Sequence, residues 1–73
     1  MNAIAAATIR VNGRPQPLAA GATVFSLMRE LGFVERKGVA VAVNGDVVSR
    51  SEWTERPLAA DDSVLVIQAT QGG

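Results

Sequence analysis

Apolar and polar positions alternate with period two through Thr8-Ile9-Arg10-Val11-Asn12. Ile9 and Val11 then share one face, Thr8 and Arg10 the other, which predicts a half-buried strand. Asn12-Gly13 follows as a hairpin signal, with Arg14 and Pro15 extending the loop. Gln16-Pro17-Leu18 reads as a short returning strand, placed at a sheet edge because Pro17 has no N–H to donate. The period then changes. Val24, Phe25, Leu27, Met28 and Leu31 fall on one helical face, with Arg29 and Glu30 on the wet side. Thr23 is the expected N-cap, and Gly32 the expected end of the helix. A helix this short needs packing to hold it, since propensity alone is not enough.

Residues 33–38 carry Glu35, Arg36 and Lys37 and read as a solvated connector. Val39-Ala40-Val41-Ala42-Val43 is the clearest strand, with three Val on one face and two Ala on the other. Asn44-Gly45-Asp46 is a second hairpin signal, and Val47-Val48 begins the return. Ser51 is expected to cap a short turn through Glu52 and Trp53, which Pro57-Leu58 then breaks. Asp61-Asp62-Ser63 is a turn. Val64-Leu65-Val66-Ile67 is apolar on both faces, as in a central strand. The order is strand, strand, helix, strand, strand, strand. One helix must cover one face of one sheet, which makes the fold class α+β. The other face of Val64–Ile67 either covers a minor core or forms a partner patch.

The chain has 73 residues, enough for one small domain that buries about 60–65% of its unfolded surface. Aliphatic residues must supply its core, since 48% of positions are hydrophobic but only 4% aromatic. There is no Cys, His or Tyr. Thiolate nucleophiles, disulfides, thiolate zinc sites and triads built on His are therefore excluded. A core this small can hardly enclose a catalytic cleft, so the chain is expected not to be an enzyme by itself. Seven basic residues balance seven acidic ones, which argues against a nucleic-acid partner. No apolar run is long enough to span a membrane, and Met1–Ala7 lacks the basic start of a signal peptide. A cytoplasmic location is expected.

Little side-chain chemistry is left to weigh. Trp53 fits a plug at the core edge better than a partner anchor. Arg10, Arg14, Arg36, Lys37, Arg50 and Arg56 are scattered, as on an ordinary solvated surface. Asp61-Asp62 lacks the further carboxylate a metal site needs and suits a turn. The tail offers more. Ile67 to Gly73 is six residue steps, which extended reaches roughly 20 Å. A terminal carboxylate on such an arm can enter a partner's active site, and glycines at its end pass a narrow channel. Attack of that carboxylate on the α-phosphate of ATP would give an acyl-adenylate. A sulfur nucleophile could then displace AMP and leave a thiocarboxylate. The partner would have to supply magnesium, the phosphate cradle and the sulfur. The bland alternative is a frayed terminus, and Gly72-Gly73 alone does not decide between them.

The element order and the terminal Gly72-Gly73 resemble the ubiquitin-like β-grasp sulfur carriers. More specifically, Ala40 to Val48, Arg50-Ser51-Glu52-Trp53, Leu58 and Asp62 look like the ThiS family of thiamine biosynthesis. Val11-Asn12-Gly13 and the helix entry from Ala20 to Val24 fit as well. The resemblance covers nearly the whole chain from Thr8 onward. It implies a β-grasp domain over residues 1–68, with a mixed sheet of four to five strands packed on one helix, and a tail over 69–73. It also implies that the Gly73 carboxylate is adenylated by an E1-like adenylyltransferase using ATP and Mg, with Gly72 as spacer. Sulfur derived from cysteine by a desulfurase would give a thiocarboxylate, which thiazole synthase consumes. The carrier would be a monomer when alone and bind no cofactor itself. The alternatives are the small subunit of molybdopterin synthase, a ubiquitin-like modifier, and a β-grasp binding module with no tail chemistry. Three departures stand out: Ser49 where the family often has Pro, Asp61 where it often has Gly, and an extension over the first seven residues.

Overall fold

The computed structural model describes residues 7–69. Five strands, β1 (Thr8–Val11), β2 (Arg14–Pro17), β3 (Val39–Val43), β4 (Asp46–Val48) and β5 (Ser63–Gln68), form one sheet. Their spatial order is β2-β1-β5-β3-β4. β5 is central, parallel to β1 and antiparallel to β3. One helix, α1 (Val24–Leu31), covers one face. The expected α+β architecture is therefore present with five strands, and the apolar-on-both-faces segment is indeed the middle strand.

Leu18 falls outside β2, β4 starts at Asp46 and β5 runs one residue further at each end than expected. Two other differences have a clear cause. Arg14 and Pro15 belong to β2 rather than to the loop, because the turn closes in two residues. Asn12 (φ 53°) and Gly13 (φ 84°) both take positive φ, so pairing resumes at once with Val11 opposite Arg14. Pro15 and Pro17 then lie opposite Arg10 and Thr8, alternate positions that need no N–H toward β1. Both prolines face the open edge and blunt it against further pairing. The second difference is at Arg50–Glu52, a 3-10 turn whose N-cap position is Ser49 rather than Ser51, with no cap bond from the Ser49 side chain. Trp53 closes it, donating its backbone N–H to the Arg50 carbonyl at 3.1 Å.

The helix start accounts for every backbone donor that an eight-residue helix leaves orphaned. Thr23 N–H donates to Ser26 Oγ, and Ser26 N–H to Thr23 Oγ1, a reciprocal capping box. Val24 N–H donates to the Arg56 carbonyl and Phe25 N–H to the Trp53 carbonyl, each at 2.9 Å. At the other end Gly32 adopts the left-handed conformation, φ 84°. Val24, Leu27 and Met28 are buried against Ile9, Val41, Val43, Val48, Leu58, Val64 and Val66. Trp53 is 1% exposed in the same cluster, and its Nε1–H donates to the Val48 carbonyl at 3.2 Å. It is the plug its amphipathic shape predicts.

Both hairpin asparagines also clasp the central strand. β1 ends before β5 does, which would leave the Val66 backbone groups unpaired on that side. Asn12 Oδ1 accepts from Val66 N–H at 2.8 Å, and Asn12 Nδ2 donates to the Val66 carbonyl at 3.2 Å. Across the sheet, Asn44 Oδ1 accepts from Ser63 N–H, and its Nδ2 donates to Asp62 Oδ1, each at 2.9 Å. Asp61 takes φ 69°, the conformation for which glycine is best suited.

Replacing Asn12 by Gly keeps the turn but removes the clasp. Stability should fall by about 1–3 kcal/mol in urea titration, since two strand groups lose their partners; an unchanged midpoint would mean that water replaces the amide fully. Trp53→Ala should cost about 3–5 kcal/mol in thermal denaturation, enough to unfold much of so small a domain. Trp53→Phe, which loses the indole bond and little volume, should cost clearly less.

Candidate functional site

Gly72 and Gly73, the residues expected to carry chemistry, lie outside the described residues. The structure does define where their chain segment starts. β5 delivers it at Ala69, whose N–H donates to the Gly38 carbonyl at 2.8 Å. Gly73 is four residues further on, so its Cα is at most about 14 Å from that of Ala69.

The face of β5 opposite the helix is open. Val64 and Val66 point into the core, while Leu65 is 49% and Ile67 54% exposed. The alternative of a second minor core is therefore excluded for these two side chains. Leu65 sits opposite Ala42 and Ile67 opposite Ala40, and Ala42 is in turn flanked by Val47, 79% exposed. The small alanines of β3 make a shallow apolar floor between Leu65 and Ile67 on one side and Val47 on the other. Because Ile67 is two residues before Ala69, this surface runs up to the root of the tail.

The cations do not form one patch. Arg10, Arg14, Arg36, Lys37 and Arg50 are exposed on different elements, and Arg56 is half-buried. Arg36 and Arg50 nonetheless have specific roles. Arg36 Nη1 reaches Gln68 Oε1 at 3.5 Å, beside the tail root. Arg50 stacks over the Trp53 ring at 4.5 Å and donates from Nη1 to the Val34 carbonyl and from Nη2 to the Arg36 carbonyl, both at 2.6 Å. The 33–38 segment is thus more than a solvated connector, since Phe33 and Val34 also pack against the core. Scattered spacing hid this, because Arg50 acts on backbone carbonyls rather than on a charge partner visible in sequence. Asp62 has a structural task at its turn, where Oδ2 accepts from Ala59 N–H at 2.8 Å. Among the described residues no group of three acidic side chains is placed to hold a metal, and no helix is long and apolar enough to cross a membrane.

Comparison with known proteins converges on one group. The sequence profile of the ThiS family matches residues 9–73. A sulfur carrier protein ThiS from Thermus thermophilus is 43% identical over 63 residues, which cover 86% of this chain and 95% of that one. A thiazole synthase from Magnetococcus marinus is 40% identical over 65 residues, 89% of this chain but 20% of that longer protein. The crystal structure of a thiamine biosynthesis protein (ThiS) from Geobacter metallireducens superposes with a TM-score of 0.75 at 26% identity, covering 90% of this chain and 99% of that one. With a β-grasp sheet on one helix, a strand that leads to Gly72-Gly73, and a profile match through the terminus, the chain belongs to the ThiS family.

Proposed function

We propose that this chain is a cytoplasmic sulfur carrier of thiamine biosynthesis, and that the Gly73 carboxylate holds the sulfur. The observation that carries the reading is a strand whose end is tied down at Ala69 and flanked by an open apolar face, four residues before Gly73 in the sequence. A domain with no thiol cannot carry sulfur as a side-chain persulfide, which favours its terminal acyl carbon. The carboxylate attacks the α-phosphate of ATP, forming an acyl–phosphate bond and releasing pyrophosphate. A hydrosulfide equivalent derived from cysteine attacks the acyl carbon, AMP leaves, and the thiocarboxylate remains. An E1-like enzyme supplies the nucleotide site and magnesium, so this chain acts as a co-substrate and binds no cofactor.

The apolar surface around Leu65 and Ile67 is the docking face for that activating enzyme. Continuity supports this choice, since the same strand bears the face and leads into the tail. Burying the face places the Gly73 Cα within about 14 Å of that of Ala69, a short tether that raises the local concentration of the terminus at the adenylation site. Thiazole synthase is the acceptor. The Magnetococcus marinus thiazole synthase, whose chain contains a segment similar to this whole domain, supports that assignment.

Incubation with ATP, magnesium, the activating enzyme and a sulfur source should change the intact mass by one oxygen-to-sulfur exchange. Deleting Gly73 should abolish the exchange while leaving the melting temperature nearly unchanged; an unmodified full-length chain in a competent mixture would overturn the carrier reading. Rescue of a thiamine auxotroph, but not of a molybdenum-cofactor mutant, should identify the acceptor pathway. Combining Leu65→Ser with Ile67→Ser should raise KM for activation about tenfold, the effect of removing two interface anchors. The same variant should melt close to the wild type, because both side chains are half in solvent already.

A further inference from the structure

We infer that Arg50 is a positioning residue for the C-terminal tail, acting through the 33–38 loop. Its part in the reaction rests on the carrier reading above, but the mechanical claim does not.

The guanidinium is held from below and grips from above. Its planar group lies on the buried Trp53 ring at 4.5 Å, which fixes its height and orientation over the core. From there its two terminal nitrogens reach the Val34 and Arg36 carbonyls at 2.6 Å. Such a fork fixes two points of a loop whose only other internal backbone tie is the Arg36 N–H to Phe33 carbonyl bond among the described residues. Two residues beyond Arg36 is Gly38, whose carbonyl accepts the Ala69 N–H at 2.8 Å. Gly38 has φ +75°, and a Cβ there would stand 3.3 Å from Ala69 Cβ. This position therefore needs glycine twice over, for its backbone conformation and for close approach to the tail root. Arg36 adds a side-chain contact to Gln68 at 3.5 Å. A continuous path thus runs from the core at Trp53, through Arg50 and the loop, to Ala69 at the root of the tail.

The consequence is preorganisation. A partner that takes the terminus must hold the tail in one direction, and an anchored root removes part of that ordering from the binding step. Loss of Arg50 should shift the cost into affinity, raising KM with little effect on kcat, because the partner still orders the tail before chemistry.

Amide hydrogen exchange followed by NMR tests the mechanical claim without any sulfur chemistry. In Arg50→Ala, exchange at the Ala69 N–H should accelerate about fivefold or more while that of Val66, deeper in the same strand, changes less than about twofold. Arg50→Lys, which keeps a donor but not the fork, should lie between Ala and the wild type. Gly38→Ala should accelerate Ala69 directly, and the double variant should be no faster than the faster single one, since both act on one path. Uniform acceleration throughout β5 would show a general stabilising role, and additive effects would show independent ones; either overturns the inference. With the activating enzyme, Arg50→Ala should raise KM in ATP–pyrophosphate exchange about threefold to tenfold, with kcat within about twofold. An unchanged KM alongside the altered Ala69 exchange would overturn the positioning role. A wild-type chain that supports no pyrophosphate exchange would instead overturn the carrier reading, and the Ala69 exchange data would still decide whether Arg50 holds the tail root.

Discussion

The structure depends on Trp53. Its buried ring plugs a core made almost wholly of aliphatic side chains, and its indole N–H satisfies the Val48 carbonyl at the end of β4. Its own carbonyl accepts the Phe25 N–H at the start of α1, so one residue joins the outermost strand to the helix. Its outer face carries the Arg50 guanidinium. An eight-residue helix has little stability alone, and this helix exists because the segment from Trp53 to Arg56 receives its first donors while the sheet receives its apolar stripe.

The second constraint is arithmetic of faces. A five-stranded sheet has two faces, and one short helix can cover only one of them. β5 is nevertheless apolar on both. Val64 and Val66 serve the core, whereas Leu65 and Ile67 are left open beside the segment that ends in Gly72-Gly73. That open face and the anchored end of β5 therefore lie side by side.

Local signals recovered most of the fold. Period-two alternation marked β1 and β3, the helical stripe from Val24 to Leu31 marked α1, and Thr23 and Gly32 marked its ends, because each of these features is decided by neighbours within a few residues. The errors also had local causes. Arg14 and Pro15 looked like loop because proline usually interrupts strands, yet an edge position tolerates it. Ser51 looked like a cap because serine so often is one, yet the turn begins a residue earlier and closes on Trp53. Gly72-Gly73 lies outside the described residues, and its reading as a site rests on the strand before it and the family pattern around it.

What the amino-acid sequence determined by itself was the set of elements and the absence of any thiol or imidazole side chain. Tertiary structure alone decided which face of β5 stays open, since that depends on where the single helix lands. It alone assigned Asn12 and Asn44 a second task as clasps on β5, across separations of 54 and 19 residues. It also linked Arg50 to Gly38 and Ala69 through carbonyls of the intervening loop. Backbone acceptors are identical at every position, so no residue type announces them, and only the folded path of the chain brings them within reach of a particular side chain.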